Sequence, residues 1–322
     1  MKAIVMHAVG TPDVLRMEEV AMPTLAAGHV LVRVEAVGVN FRETQVRAGI
    51  IGGPLAGPVI LGNETVGTVE AAGADADPAL VGQRVVALTD GLGAYAEYVT
   101  SAAADVVPVP AGLSSAEAAA VAVQGTTALG VLRMARIGAG DSVLIEAASA
   151  GVGGYLTQLL TASQHGLVIG TAGSAAKRQR AVELGVDLAI DHTGPDWPVL
   201  VRGALDGKTL DVALESIGGD TAVRVFDLLT PASGRMVLYG RSAGQWPAIA
   251  AEKIFFSGVT LSGFGGAGFA PNARTDLAEI LNLTSSGRVR PLIDQVLPLA
   301  EAAEAHKRID ERTAMGKLVL IP

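Results

Sequence analysis

The residues in this chain best suited to chemistry are its smallest. Val143, Leu144 and Ile145 form an aliphatic run suited to a buried parallel strand, and Ala147 to Gly154 follow at once with little or no side chain. A strand that turns into a helix through such residues lets main-chain N–H groups approach phosphate oxygens, and the helix N-terminus adds partial positive charge. Set against the pattern G-x-G-x-x-G, Ala148, Ala150 and Gly153 occupy the glycine positions and Gly151 is an extra glycine. Helix-like residues Tyr155–Gln164 and a second apolar run, Leu167–Ile169, complete a β-α-β unit of the length a dinucleotide motif needs. Ala150, Gly151, Val152 and Gly153 are therefore candidate pyrophosphate contacts; the plain alternative is a glycine-rich turn without a ligand.

The second strand runs into Thr171-Ala172-Gly173-Ser174 and then Lys177-Arg178, with no acid in the turn. An NAD site places Asp or Glu at that strand end to hold the ribose 2′-hydroxyl. Here Ser174, Lys177 and Arg178 offer a hydroxyl and two cations to a 2′-phosphate, which a carboxylate would repel. The pattern predicts NADPH over NADH, against the alternative that Lys177 and Arg178 are a solvated helix face.

Positioning these residues takes a large core, and the composition supplies one. The chain has 322 residues, 50% of them hydrophobic, and a mean hydropathy of +0.43, enough for two domains. Its net charge of −8, with 24 Lys+Arg scattered among 32 Asp+Glu, argues against nucleic acid as a partner. Residues 147–176 carry no charge, but Gly, Ser, Thr, Gln and His interrupt them, which argues against a membrane span. The N-terminal run MKAIVMHAVGTPD is strand-like and has no cleavage-site pattern, so a cytoplasmic location is expected. The absence of cysteine removes disulfides, a thiolate nucleophile and a Cys-ligated zinc lobe. His7, His29, His165, His192 and His306 lie far apart, so no metal site is expected.

Up to about residue 110 the chain reads as mainly β, closer to a small barrel than to a sandwich. Strand candidates are Ala3–Met6, Val30–Val34, Thr65–Glu70, Arg84–Leu88, Ala94–Thr100 and Val106–Val109. Ser114 and Glu117 form a capping box before an Ala-rich helix. Apolar runs at 143–145, 167–170, 188–190, 210–214, 236–239 and 259–261 then alternate with helical segments, which predicts a doubly wound, six-stranded parallel Rossmann sheet over 125–264. The tail reads as a Gly-rich loop (Phe264–Phe269), a helix near Leu277–Thr284, a strand near Ile293–Leu297, a helix Glu301–Asp310 and a strand Lys317–Ile321. Too short to stand alone, it is expected to rejoin the first domain, giving 1–124 with 265–322 and 125–264 as the two domains.

VGVNFRE (37–43), LGNETVGTVEAAG (61–73), VGQRVVAL (81–88), GAYAEYV (93–99), QGTTAL (124–129), AASAGVG (147–153) and AHKRIDERTAMGKLVL (305–320) follow one another along nearly the whole chain. In that order they resemble the zinc-independent quinone oxidoreductase branch of the medium-chain dehydrogenase/reductase superfamily. The resemblance implies a GroES-like barrel catalytic domain, a Rossmann domain, NADPH as cofactor and a homodimer. It places Asn40 and Thr127 near the nicotinamide and its ribose, Tyr239 and Gly240 along the cofactor, Ser174 and Lys177 at the 2′-phosphate, His192 at the adenosine and Lys317 as a further cation. Plain alternatives for Asn40 and Thr127 are a turn cap and a helix-start cap. Zinc-dependent relatives carry G-H-E where this chain has Gly62-Asn63-Glu64, so Glu64 is expected to be a structural hydrogen-bonding partner.

Without a Lewis acid, hydride addition to a quinone or a conjugated C=C suits the site better than alcohol oxidation, because the negative charge falls on a delocalised oxygen. Gln45 and Ile51 stand where bacterial quinone reductases of this kind carry tyrosines, which leaves room for an enal, enone or enoyl thioester acceptor. Arg42 and Glu43 could orient a carbonyl or relay a proton, or form an ordinary surface pair. Tyr95 and Tyr98 lie on one strand-like run and could share a core-facing or a pocket-facing side, core packing being the better reading. Dimerisation is expected through the last Rossmann strand, Val259–Phe264. The rival reading is a cofactor-binding protein of the same superfamily without turnover.

Overall fold

The structure, a computed structural model, describes residues 1–53, 55–89, 91–161 and 166–322. The chain forms two units, Met1–Val123 with Leu277–Pro322, and Gln124–Asp276.

The first unit opens with β1 (Lys2–Met6), β2 (Leu15–Glu19), β3 (His29–Val39), α1 (Phe41–Arg47), β4 (Val59–Ile60), β5 (Glu64–Ala72), β6 (Arg84–Leu88), β7 (Tyr98–Ala102) and β8 (Val107–Pro108). α2 (Ser115–Ala135) leads into the second unit, which continues through β9 (Val143–Ile145), α3 (Gly151–Thr161), β10 (Val168–Thr171), α4 (Ala175–Leu184) and β11 (Leu188–Ile190). It ends with α5 (Trp197–Ala204), β12 (Val212–Glu215), α6 (Gly219–Phe226), β13 (Arg235–Leu238), α7 (Ala251–Ser257), β14 (Thr260–Gly263) and α8 (Gly266–Phe269). α9 (Ala273–Ser285), β15 (Ile293–Pro298), α10 (Ala302–Asp310) and β16 (Lys317–Ile321) close the chain.

β3 is the axis of the first unit. Its long run lets β7 pair with His29–Arg33 and β16 with Val37–Val39, while β5 runs along its other side. The resulting sheet has the order β15-β16-β3-β5-β6-β8, and a separate small sheet has the order β2-β1-β4. Thus the C-terminal strand Lys317–Ile321 reaches back to the start of the chain and brings Lys317 beside α1. β2 and β4 were not foreseen, because one is polar (LRMEE) and the other has only two residues. Residues 94–96 form no strand; Ala96 makes an isolated bridge to Ala3, and Tyr95 lies in the core ahead of β7.

The second unit is a parallel sheet of order β11-β10-β9-β12-β13-β14, as the alternating pattern predicts. The order reverses between β9 and β12, the place where open α/β sheets take their ligands. α2 is long and apolar enough to cross a membrane by composition, but most of it is buried. The expected helix end at Gln164, and His165, lie outside the described residues.

The unit runs past 264 to Asp276. Phe264 packs so closely on Gly130 that a Cβ there would overlap its ring, and Asp276 pairs with Arg133. The expected loop Phe264–Phe269 contains the short helix α8, because glycines do not prevent a single helical turn that other residues pack.

Candidate functional site

The turn after β9 has the form that phosphate binding demands. Ala147 adopts φ +53° and Gly151 φ +57°, so the chain turns sharply before α3 begins at Gly151, earlier than expected. Ala147 is exposed and Ala150, Gly151 and Val152 are partly open, whereas Gly153 faces the carbonyl oxygens of Glu146 and Ala147 with no room for a Cβ. The helix start therefore sits tight against its strand, its first two residues are only partly covered, and no acid lies in its first turn. Gln124 of α2 joins this turn: its Nε2 lies 3.9 Å from where a Gly151 Cβ would stand, and its buried Oε1 has no partner among the described residues. Sequence reasoning passed over Gln124, although it opens the quoted QGTTAL segment.

At the end of β10, Ser174 caps α4, its Oγ accepting from the Lys177 N–H at 3.3 Å. Its hydroxyl proton is left to donate outward. Lys177 is half-buried beside it. Arg178, expected to be the second cation for a phosphate, donates to Asp191 Oδ2 at 2.5 Å and spans toward the Ala172 carbonyl. Asp191, just beyond β11, went unnoticed because it is distant in sequence from the turn. Hydrogen bonds from Thr193 and the neighbouring Arg178 charge hold its carboxyl below the usual range. His192 Nδ1 meets Thr171 Oγ1 at 2.9 Å, and the ring borders a cavity of about 330 Å³ also lined by Trp197, Asp220 and Arg224.

Tyr239 follows β13, with its N–H on the Glu215 carbonyl at 2.9 Å and its OH 3.4 Å from the Glu146 carbonyl. Gly240 passes Ser216 so closely that a Cβ would stand 3.0 Å from its carbonyl oxygen. Thr127 lies inside α2, well after its start at Ser115, so it is not a helix-start cap. The real cap is the expected box: Ser114 N–H donates to Glu117 Oε2 at 2.8 Å, and Glu117 N–H to Ser114 Oγ at 3.2 Å.

The first unit holds a buried polar cluster around α1. Asn40 begins the helix and is only 7% exposed; its Nδ2 donates to Glu64 Oε1 at 2.9 Å and its Oδ1 accepts from Lys317 Nζ at 2.6 Å. Lys317 also pairs with Glu64, and both are fully buried. Its expected place as a cation for the cofactor is thus corrected: the strand register of β16 turns Lys317 inward, where a lysine is sustained only by a counter-ion. Glu64 takes a further bond from the Val123 N–H at 2.5 Å, so its carboxylate is committed within the structure.

Glu43 is also corrected. It is fully buried rather than part of a surface pair with Arg42, and it accepts the Asn40 N–H at 2.5 Å. Burial pushes its carboxyl up to about 7; Lys317 opposes that rise and Glu64 adds to it. Arg42 is exposed, with its guanidinium against Gly91. Tyr95 OH meets His306 Nε2 at 3.0 Å, and burial holds His306 neutral, with its pKa near 3.

Comparison with known proteins agrees with this architecture. Residues 26–111 match the alcohol dehydrogenase GroES-like domain family and residues 184–320 the zinc-binding dehydrogenase family. The chain is 33% identical over 326 residues to a Pseudomonas aeruginosa protein named quinone oxidoreductase, covering 100% of this chain and 99% of the relative. It is 31% identical over 335 residues to a 2-haloacrylate reductase from Burkholderia sp., covering 99% and 98%. The structure of Escherichia coli quinone oxidoreductase complexed with NADPH superposes with a TM-score of 0.92 at 29% identity, over 100% of each chain. Its GroES-like and Rossmann units and its end-to-end likeness to these relatives make the chain a member of the zinc-independent, quinone oxidoreductase-like branch of the medium-chain dehydrogenase/reductase superfamily.

Proposed function

We propose that this chain is an NADPH-dependent oxidoreductase that passes hydride to a quinone or to the C=C of an α,β-unsaturated carbonyl, such as an enal, enone or enoyl thioester, without a metal. The observation that carries the reading is the turn at Ala147–Gly153. Its glycine is pressed onto two carbonyl oxygens, its helix start is partly open and free of acid, and Gln124, whose buried Oε1 has no partner among the described residues, reaches the turn through its Nε2. These features fit a dinucleotide, and the relatives' names fit the chemistry.

NADPH, when bound, supplies the hydride. The N–H groups of Ala150, Gly151, Val152 and Gly153 hold the pyrophosphate; Ser174 and Lys177 take the 2′-phosphate; His192 flanks the adenosine. Thr127, Tyr239 and Gly240 line the remaining length. Asn40 acts as a positioning group, since both ends of its amide are already bonded within the first unit. Arg42, the exposed cation at the start of α1, orients the acceptor carbonyl. The metal-free reading rests on the donor set: no cysteine in the chain, Asn63 in the G-N-E segment, and a Glu64 whose oxygens are already taken.

The acceptor is small and electrophilic, and Gln45 and Ile51 widen the choice beyond aromatic quinones. A screen of NADPH oxidation against benzoquinones, naphthoquinones, short enals and enoyl thioesters tests the reading. Turnover with one class is expected; tight NADPH binding with no turnover by any acceptor would favour a binding role instead. Two copies are proposed to pair through β14, the edge of the parallel sheet, with the exposed Phe255 and Phe256 of the preceding α7 as further apolar surface.

A further inference from the structure

At the ends of the two central strands of the second unit, two carboxyls meet in a dry place. Glu146 follows β9 and Glu215 ends β12; Leu214 stands opposite Ile145, and Glu146 N–H bonds the Leu214 carbonyl at 3.1 Å. Both side chains are fully buried. One Glu215 oxygen accepts from Ile217 N–H and Gly218 N–H, each at 2.7 Å, which fixes the loop before α6. The other Glu215 oxygen and both Glu146 oxygens have no donor among the described residues.

Two buried carboxylates with three of their four oxygens lacking a donor are not a stable arrangement, and a single proton between them supplies a hydrogen bond. No described cation offsets them. β9, β10 and α3 carry no Asp, Lys, Arg or His, and the only titratable group on α3 is Tyr155. From β13 comes Tyr239, whose hydroxyl burial and the nearby carboxyls keep neutral. Arg241 is turned to the Gly244 carbonyl and the Trp246 ring, and α6 offers Asp220. Burial and the neighbouring Glu215 both push the Glu146 carboxyl upward.

The Glu146 backbone is part of the nucleotide turn, since its carbonyl oxygen presses on Gly153 and accepts from Tyr239. We propose that Glu146 and Glu215 share one proton, and that this proton keeps the turn compatible with a polyanionic nucleotide, so that its loss releases NADPH. Losing the proton places a second buried negative charge at the base of a site that must accept a pyrophosphate. The latch rests on the NADPH reading; the shared proton does not.

The test uses the full chain and Glu146→Gln, in which the amide takes the place of the protonated acid and donates to Glu215 permanently. NADPH affinity is measured from pH 7 to pH 9, above the range in which a phosphate of pKa about 6 titrates and below that of lysine at about 10.4. The wild type is expected to weaken about three- to tenfold across that span, and Glu146→Gln to stay flat. In the apo-protein carrying Glu43→Gln, which removes the other buried carboxyl that titrates near pH 7, infrared absorption of a buried protonated carboxyl is expected, and it is lost when Glu146→Gln is added. Should Glu146→Gln fail to fold, the presence of that band and its loss with rising pH in the Glu43→Gln protein decide the question. Absence of the band overturns the shared proton. A band with pH-independent NADPH affinity overturns the latch. No NADPH binding at any pH overturns the cofactor reading and the latch together, while the infrared result still judges the proton.

Discussion

Lys317 and Glu64 show what a single charge does when a strand register turns it inward. Each is fully buried and each is the other's counter-ion, with Asn40 bonded to both. Lys317→Met should cost about 3–5 kcal/mol in urea unfolding, because a buried carboxylate is left behind, and adding Glu64→Gln should recover much of the loss. Glu43, in the same cluster, links stability to pH. Its folded pKa of about 7 stands above its model-peptide value of 4.5, so the folded state holds the proton longer. Stability from this group is complete below about pH 4.5, falls as pH rises toward 7, and stays low above it. Glu43→Gln should remove an upper bound of about 3 kcal/mol of that fall, read as the difference in unfolding free energy between pH 4.5 and 8. On the nucleotide side, Lys177→Glu should weaken NADPH by about 1–3 kcal/mol while barely affecting NADH. Arg178→Ala should cost less, because Asp191 already engages that guanidinium. Equal losses of both nucleotides in a fluorescence titration of Lys177→Glu would refute its assignment to the 2′-phosphate.

Among elements, the β9–turn–α3 unit is the one on which the proposed function depends. Its strand was legible because three aliphatic residues between polar flanks leave little choice, and its turn because small residues cluster where backbone must approach a ligand. The helix start was less legible: Gly151 and Gly153 depress helix propensity, and only packing of Gly153 on the carbonyls of Glu146 and Ala147 makes the helix begin there. Gly153→Val should abolish NADPH binding, with a circular dichroism spectrum that still shows the α/β fold; retained affinity would mean the turn is not the phosphate site. The first unit shows the opposite limit. β2 and β4 carry too little apolar pattern to be read locally, and they exist because β1 offers both of its edges.

At the scale of the molecule, β14 leaves one side of the parallel sheet open. Thr260 and Phe264 N–H groups bond to Gly234 and Leu238 of the β13 side, so by strand alternation the Gly263 N–H points outward. Gly263→Pro removes an outward donor at a position where a side chain meets nothing within 4 Å, and leaves the β13 ladder intact. Gel filtration should give a mass of twice the 32.6 kDa chain for the wild type and a shift toward one chain for the variant. A wild-type mass of one chain would remove the dimer. The unit boundary at Asp276 has a similar non-local origin, since Arg133 and Asp276 are far apart in sequence and meet only once α2 and α9 are folded.

The order of motifs, the alternation of strand and helix, the small-residue turn after β9 and the capping box at Ser114 were determined by local pattern alone. Each depends on side-chain size or periodicity over a few residues, which short stretches of chain express by themselves. Tertiary structure alone decided that Lys317 faces Glu64 and Asn40, that Glu43 is buried, that Asp191 claims Arg178, and that Glu146 lies against Glu215. In all four, the chain's folding brings together strands, strand ends and the helices packed on them, which local pattern does not specify. The resulting desolvation and charge pairing, which set the chemistry of these groups, have no counterpart in the linear sequence.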